Sequence, residues 1–268
     1  MAENSKIEWT DHTFNPWMGC TKISGACDNC YAEVQTARFK QVEWGPHADR
    51  RRTSADYWKQ PLKWNRKAAA AGVRPRVFCA SLADVFDNHK SIEPEWRADL
   101  WVLIKATPNL DWLLLTKRPQ NIHRFIPNDW GDGYPNVWLG TTVENQVEAR
   151  TRIPHLVSTP AKVRFLSCEP LLGPLDLRSV EEPSPFGRQF YRLDAGEIHW
   201  VICGGESAPD SKRRDMKLSW AKSLADQCIQ AGVPFLFKQH SGRNQKAIKA
   251  KGRDLGGIMW DQYPEVAA

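Results

Sequence analysis

Six short runs of apolar, β-branched or aromatic residues recur along the chain, at 76–81 (RVFCAS), 112–116 (WLLLT), 137–141 (VWLGT), 163–167 (VRFLS), 200–204 (WVICG) and 234–238 (PFLFK). Each is too short for a helix and nearly continuous in apolar character, the pattern of parallel strands covered on both faces. Residues 7–10 are a candidate for an earlier strand. Helix-like segments lie between the runs, at 28–39, 61–71, 91–105, 144–152 and 218–231. Gly72 and Gly232 stand where left-handed caps are expected. Ser91 is placed as an N-cap with Pro94 in the first turn, and Trp96, Leu100 and Leu103 then share one face. In 218–231, Leu218, Ala221, Leu224, Ala225, Cys228 and Ile229 recur at helical spacing. Strand starts fall roughly every 25 to 38 residues, a natural length for βα units. The expected fold is α/β, a parallel (βα) barrel, partial or closed, in one domain over residues 1–268. An open doubly wound sheet is the alternative.

Polar residues gather just behind the runs: Ser81 and Asp84; Thr116, Lys117 and Arg118; Thr141, Thr142 and Glu144; Ser167 and Glu169; Gly204, Gly205 and Glu206; Lys238, Gln239 and His240. In parallel α/β folds these positions meet at the carboxyl-end face, where ligands bind. A polar loop residue is also what any surface connection would carry.

Hydrophobic residues at 41% and charged residues at 25% describe a globular chain rather than a disordered one. No stretch approaches the ~20 apolar residues of a membrane helix, and the first residues lack a signal-peptide layout, so a cytoplasmic setting is expected. The charge of +6, from 37 basic and 31 acidic residues, permits a polyanionic partner without demanding one. Thirteen tryptophans point mostly to core and pocket walls.

Seven cysteines at uneven spacing do not look like a disulfide framework. Three of them, Cys20, Cys27 and Cys30, form C-x6-C-x2-C, with Gly25 in the longer gap. Clustered thiolates are soft donors, suited to zinc or to an iron–sulfur cluster. The helix expected from Asp28 would turn its positive end toward them. Structural zinc normally takes four protein ligands, which here would require His12 or a distant cysteine such as Cys168. A four-iron cluster on three cysteines leaves one iron open to an outside molecule. Cys79, Cys168, Cys203 and Cys228 lie in apolar runs or a helix face and are read as small buried hydrophobes.

With the cysteine loop followed by βα repeats, the sequence resembles the radical S-adenosylmethionine superfamily. More closely, it resembles a group of phage- and prophage-associated proteins that share a three-cysteine motif. The matching residues are Asn15-Pro16-Trp17 with Gly19-Cys20, Cys27 and Cys30-Tyr31-Ala32, Leu115-Thr116-Lys117-Arg118-Pro119, and Trp138-Leu139-Gly140 with Val143-Glu144-Asn145. Others are Arg164-Phe165-Leu166-Ser167-Cys168-Glu169-Pro170-Leu171-Leu172, Gly204-Gly205-Glu206-Ser207 and Pro234-Phe235-Leu236-Phe237-Lys238-Gln239. The resemblance implies a barrel of the superfamily's type, a 4Fe-4S cluster on Cys20, Cys27 and Cys30, bound S-adenosylmethionine, its reductive cleavage, and an electron donor as partner. By position it implies Ser81 and Asp84 as contacts to the methionine amino group, and Gly204, Gly205 and Glu206 as a late loop near the cofactor. Lys117 and Glu144 would complete the pocket, with Glu169 and Lys238 as candidate catalytic residues. Two features depart from the superfamily's C-x3-C-x2-C pattern: the first gap is six residues long, and Asn29 stands where an aromatic is common. The superfamily's Gly-Gly-Glu element follows its second strand, whereas here those residues follow a late run.

Basic runs at 50–52, 212–214 and 238–253 would make a phosphate-backbone track if they converged, so a nucleic acid is a candidate partner. Trp44, Trp58 and Trp64 could stack on bases or pack the 61–71 helix. The favoured reading is a radical enzyme acting on nucleic acid or its components. The alternatives are a zinc-stabilised nucleic-acid-binding protein without catalysis, and a cluster-dependent redox or repair protein that does not use S-adenosylmethionine.

Overall fold

The computed structural model describes residues 3–182 and 189–265. The fold is α/β, on a sheet of seven strands: β1 (His12–Phe14), β2 (Arg76–Cys79), β3 (Asp111–Thr116), β4 (Val137–Thr142), β5 (Val163–Cys168), β6 (Trp200–Gly204) and β7 (Phe235–Gln239). Their order in the sheet is their order in the chain. It never reverses, so the topological switch point of a doubly wound sheet is absent and the winding is that of a barrel. Among the described residues β1 and β7 end the order without pairing to each other, so the closed alternative does not form. Six strands match the six apolar runs to within a residue or two at either end. The strand at the N-terminus does not: residues 7–10 close a turn, with Thr10 N–H on Ile7 O, and the first strand is His12–Phe14.

The chain forms two compact units. The first comprises Met1–Ile23, Cys30–Leu139 and Pro160–Lys162. In it β1 pairs in parallel with β2, His12 opposite Val77, and β2 with β3, Arg76 opposite Asp111. Trp112, Leu113 and Leu114 are fully buried, as strands covered on both faces require. Helix α1 (Tyr31–Arg38) begins three residues later than the pattern suggests, with Cys30 at its N-cap. Helix α2 (Gln60–Ala71) ends on Gly72 at φ 65, a left-handed turn that favours glycine. Helix α3 (Pro94–Lys105) has Glu93, not Ser91, at its cap. The Ser91 hydroxyl is spent elsewhere, accepting from Arg50 N–H at 2.8 Å and bonding His89 Nδ1 at 2.7 Å.

The second unit comprises Ser24–Asn29, Gly140–Thr159 and Val163–Ala268. Here β6 pairs in parallel with β5, Trp200 opposite Phe165, and with β7, Val201 opposite Phe235. Gly140 is needed for packing: a Cβ there would fall 2.3 Å from the Phe165 ring. Helix α4 (Gln146–Val157) starts after Glu144, because the Asn145 side chain caps it by accepting from Val147 and Glu148 N–H. Helix α5 (Leu218–Ala231) buries Ala221, Leu224, Ala225 and Cys228, while Leu218 and Ile229 are exposed. The apolar stripe is therefore narrower than the sequence spacing suggests. Among the described residues no helix is long and apolar enough to cross a membrane.

Candidate functional site

In the first unit the residues behind β2 and β3 hold the start of the cysteine loop. Gly19 has φ 100, and its N–H bonds Leu82 O, which brings residues 19–21 against the loop after β2. Arg118, behind β3, donates from Nη1 to Cys20 Sγ at 3.5 Å and from Nη2 to Thr21 O at 2.9 Å. The guanidinium is fixed by Asp84 at 3.1 Å and Asp87 at 3.7 Å. Arg50 donates to Asp87 at 2.9 Å and to Thr21 Oγ1 at 2.7 Å. Arg97 donates to the carbonyls of Val85 and Asp87. Two buried guanidinium groups, Arg50 and Arg118, thus meet two buried carboxylates beside Cys20, and a third, Arg97, holds the backbone around them. Burial and the Asp84 charge push the Cys20 thiol up to about 12, with Arg118 opposing. Burial works against the charge of Arg118, but Asp84, Cys20 and Asp87 together hold it more firmly protonated than a free arginine.

Asp84 also accepts from Thr116 Oγ1 at 2.7 Å, Lys117 N–H at 3.1 Å and Phe86 N–H at 2.9 Å, so both its oxygens have protein partners. Ser81 Oγ bonds the Asn15 side chain, and Ser81 O accepts from Tyr31 OH at 3.1 Å. That second bond ties the first turn of α1, next to Cys30, to the end of β2. Lys117 is partly exposed beside this network.

In the second unit, strand-end residues hold the middle of the loop. Cys27 ends a single 3-10 turn, Gly25–Cys27. Glu144, behind β4, accepts from Ala26 N–H at 3.2 Å and is fully buried against Arg152 at 2.8 Å. Arg214 donates to Gly25 O and to Asp28, both at 2.9 Å, and pairs with Glu206 behind β6. Glu206 accepts from Asn29 as well, at 3.0 Å. Burial would raise the Glu206 carboxyl, but Arg214 and Asn29 overcome it and hold it below the usual carboxylate value. Gly205 is demanded by packing, since a Cβ would fall 2.3 Å from Ser241 N. Glu169, just after β5, and Lys238, within β7, form a partly exposed ion pair at 2.5 Å beside Gly204, whose Cβ position lies 3.3 Å from Glu169.

The expected residues fall into local groups: Ser81, Asp84 and Lys117 behind β2 and β3, Glu144 and Glu206 on residues 26–29, and Glu169 with Lys238 and Gly204. Of the arginines that organise them, only Arg118 stands among the strand-end residues expected from the sequence. Arg50 belongs to a run read as a basic surface, and Arg213 and Arg214 to another, yet Arg50 is buried and Arg213 pairs with Asp210 and Asp215. The acidic residues close to Arg213 and Arg214 in sequence were the available signal. Trp64 is buried and stacks on His12 at 4.5 Å, Trp58 lies under Arg52, and Trp44 Nε1 donates to Thr36. These tryptophans pack the first unit.

All seven cysteines are free thiols; Cys20 and Cys30 are partly exposed and Cys27 is buried. Cys168 is fully buried, and burial pushes its thiol up. Among the described residues no three His, Cys, Asp or Glu side chains stand together as a metal-holding group. The fit of Cys20, Cys27 and Cys30 to a cluster rests on their donor chemistry, three unpaired soft thiols on one short loop.

No curated protein matches the chain. Among solved structures it is similar to a spore photoproduct lyase variant with bound AdoMet and dinucleoside spore photoproduct, at 12% identity and a TM-score of 0.45. The match covers 81% of this chain and 61% of that one, so the chain spans under two thirds of that protein. Residues 4–264 match the family described as "Protein of unknown function (DUF5131)", and the chain belongs to that family.

Proposed function

We propose that this protein is a radical enzyme in which Cys20, Cys27 and Cys30 hold a 4Fe-4S cluster that binds and reductively cleaves S-adenosylmethionine, with a nucleic acid or one of its components as substrate. Bound there, the cluster would deliver one electron, received from a separate donor, to the cofactor's carbon–sulfur bond.

The observation that carries the reading is the grip of Arg118 on Cys20 and Thr21 from the carboxyl end of β3. Ligands to parallel α/β folds bind at that end of the strands, and a guanidinium N–H aimed at a ligand sulfur is the kind of outer contact that tunes a cluster. Glu144 and Arg214 fix the backbone around Cys27 in the same manner, from behind β4 and β6. Ser81, Asp84 and Lys117 lie at the strand ends of the first unit, the first two bonded to Asn15, Tyr31 and Arg118, and Gly204, Gly205 and Glu206 lie at those of the second. Glu169 and Lys238, a partly exposed carboxylate and ammonium held as a pair, are the groups to accept and donate a proton on substrate.

The test is anaerobic purification with iron and sulfide analysis, then absorption and spin-resonance spectra with and without S-adenosylmethionine. Four irons and four sulfides per chain, and a spectrum perturbed by the cofactor, are expected. A colourless protein with one zinc per chain overturns the proposal. A coloured protein whose spectrum ignores the cofactor overturns its S-adenosylmethionine part and leaves a redox protein.

A further inference from the structure

From Gln227 to Arg253 the chain has no acidic residue and six basic ones: Lys238, Arg243, Lys246, Lys249, Lys251 and Arg253. The structure sorts these six into two kinds. Lys238 is paired with Glu169 and Arg253 with Asp261. Lys251 donates to Ser241 O at 2.6 Å, and its charge is felt by Asp215. Arg243, Lys246 and Lys249 are exposed, and no carboxylate among the described residues pairs with them. They flank or lie on the short helix Gln245–Ala250 at intervals of three residues, so Lys246 and Lys249 are neighbours one turn apart.

This helix is rigidly seated. Asn244 caps it by accepting from Ala247 N–H at 2.9 Å, and Ile248 is buried beneath it. Gly242 makes the seat tight, since a Cβ there would fall 2.6 Å from Ile248. Three exposed cations thereby stand at three-residue intervals on a seated element. Like charges so placed repel one another, and nothing in the described chain relieves them. A single small anion would need donors converging on one point. A row of solvated point charges matches a repeating one, and lysine suits backbone phosphates rather than base edges.

We propose that Arg243, Lys246 and Lys249 form a phosphate-backbone docking strip for nucleic acid, one that positions the polymer without reading its sequence. The proposal deepens the nucleic-acid part of the function above and rests on it for its biological meaning, but the binding itself requires no cluster.

The experiment measures anisotropy of labelled mixed-sequence DNA, single-stranded and duplex, against the full chain as salt is raised from about 50 to 200 mM. Each phosphate neutralised on duplex contributes about −0.9 to the slope of log affinity on log salt, and about −0.7 on single strands. The triple variant Arg243→Gln, Lys246→Gln, Lys249→Gln should flatten the duplex slope by about 2.7, or by about 2.1 on a single strand. A control triple, Lys105→Gln, Arg178→Gln, Arg192→Gln, removes the same charge from exposed cations that already have acidic partners, and should bind as the parent does. Equal losses in both triples, an unchanged slope in the first, or no binding by the parent each overturn the strip. Repeating the titration with iron-free and iron-loaded protein separates the two proposals. Binding that follows the strip in a chain that never takes up iron would sink the enzyme reading and leave this one standing.

Discussion

The Arg118 guanidinium reaches the Cys20 thiol, Nη1 to Sγ 3.5 Å, across 98 residues of chain. It does so because Asp84 holds the same Nη1 and Asp87 faces Nε, within a buried set that includes Arg50 and Arg97. The contact makes the loop after β3 a structural support of the first cysteine.

Removing one partner from a buried ion pair leaves the other charged group without its counterion, at a cost of about 3–5 kcal/mol. Arg118→Gln should therefore lower unfolding stability by about that amount in chemical denaturation. Arg118→Lys, which keeps the charge but loses the fork, should fall between. A loss within ~0.5 kcal/mol, typical of a surface site, would show that Arg118 does not hold the network together.

Gly140→Ala should be costly for a different reason. The new methyl would lie 2.3 Å from the Phe165 ring, an overlap that repacking must relieve at about 1–3 kcal/mol or more. Phe165→Leu alone should also destabilise, yet the two together should cost less than their sum, because the smaller side chain makes room for the methyl. Strict additivity in thermal or urea unfolding would count against the contact.

The Glu206–Arg214 pair sets a pH response. The folded state binds the Glu206 proton more weakly than the unfolded chain does. Its contribution is therefore complete above the ordinary value of 4.5 and is lost as pH falls through the lower folded value. Between about pH 6 and 3, Tm should fall less steeply for Glu206→Gln than for the parent. Parallel curves would show that other carboxylates govern the acid limb.

Thiol labelling of metal-free protein under native conditions should be confined to the loop at 20–30, where Cys20 and Cys30 are partly exposed. Cys79, Cys168, Cys203 and Cys228 are fully buried and should react only on unfolding. Mass spectrometry of timed digests reads this directly, and early modification of Cys168 would contradict the packing of β5.

Much of the sheet was legible along the chain. A strand covered on both faces is a continuous apolar run, so 200–204 reads the same in sequence and structure. Where a polar side chain has a choice of partners, local pattern misled. Ser91 has the chemistry of a cap, but Arg50 and His89 take its hydroxyl. Glu144 reads as the start of a helix, but Ala26 N–H and Arg152 claim it. The candidate residues behind the strands were legible as positions, not as partnerships.

The amino-acid sequence by itself determined the alternation of strand and helix, the strand-end placement of the polar groups and the three-thiol motif, because each depends on neighbours within a few residues. Only the tertiary structure decided which charges are spent inside the protein and which face water. Burying Arg50, Arg118 or Arg152 requires a carboxylate in the same pocket, and Asp87 and Asp84 lie 37 and 34 residues from the first two. Electrostatic pairing acts through space, so a basic run in sequence turns out as an internal brace at Arg50 and an open strip at Arg243, Lys246 and Lys249.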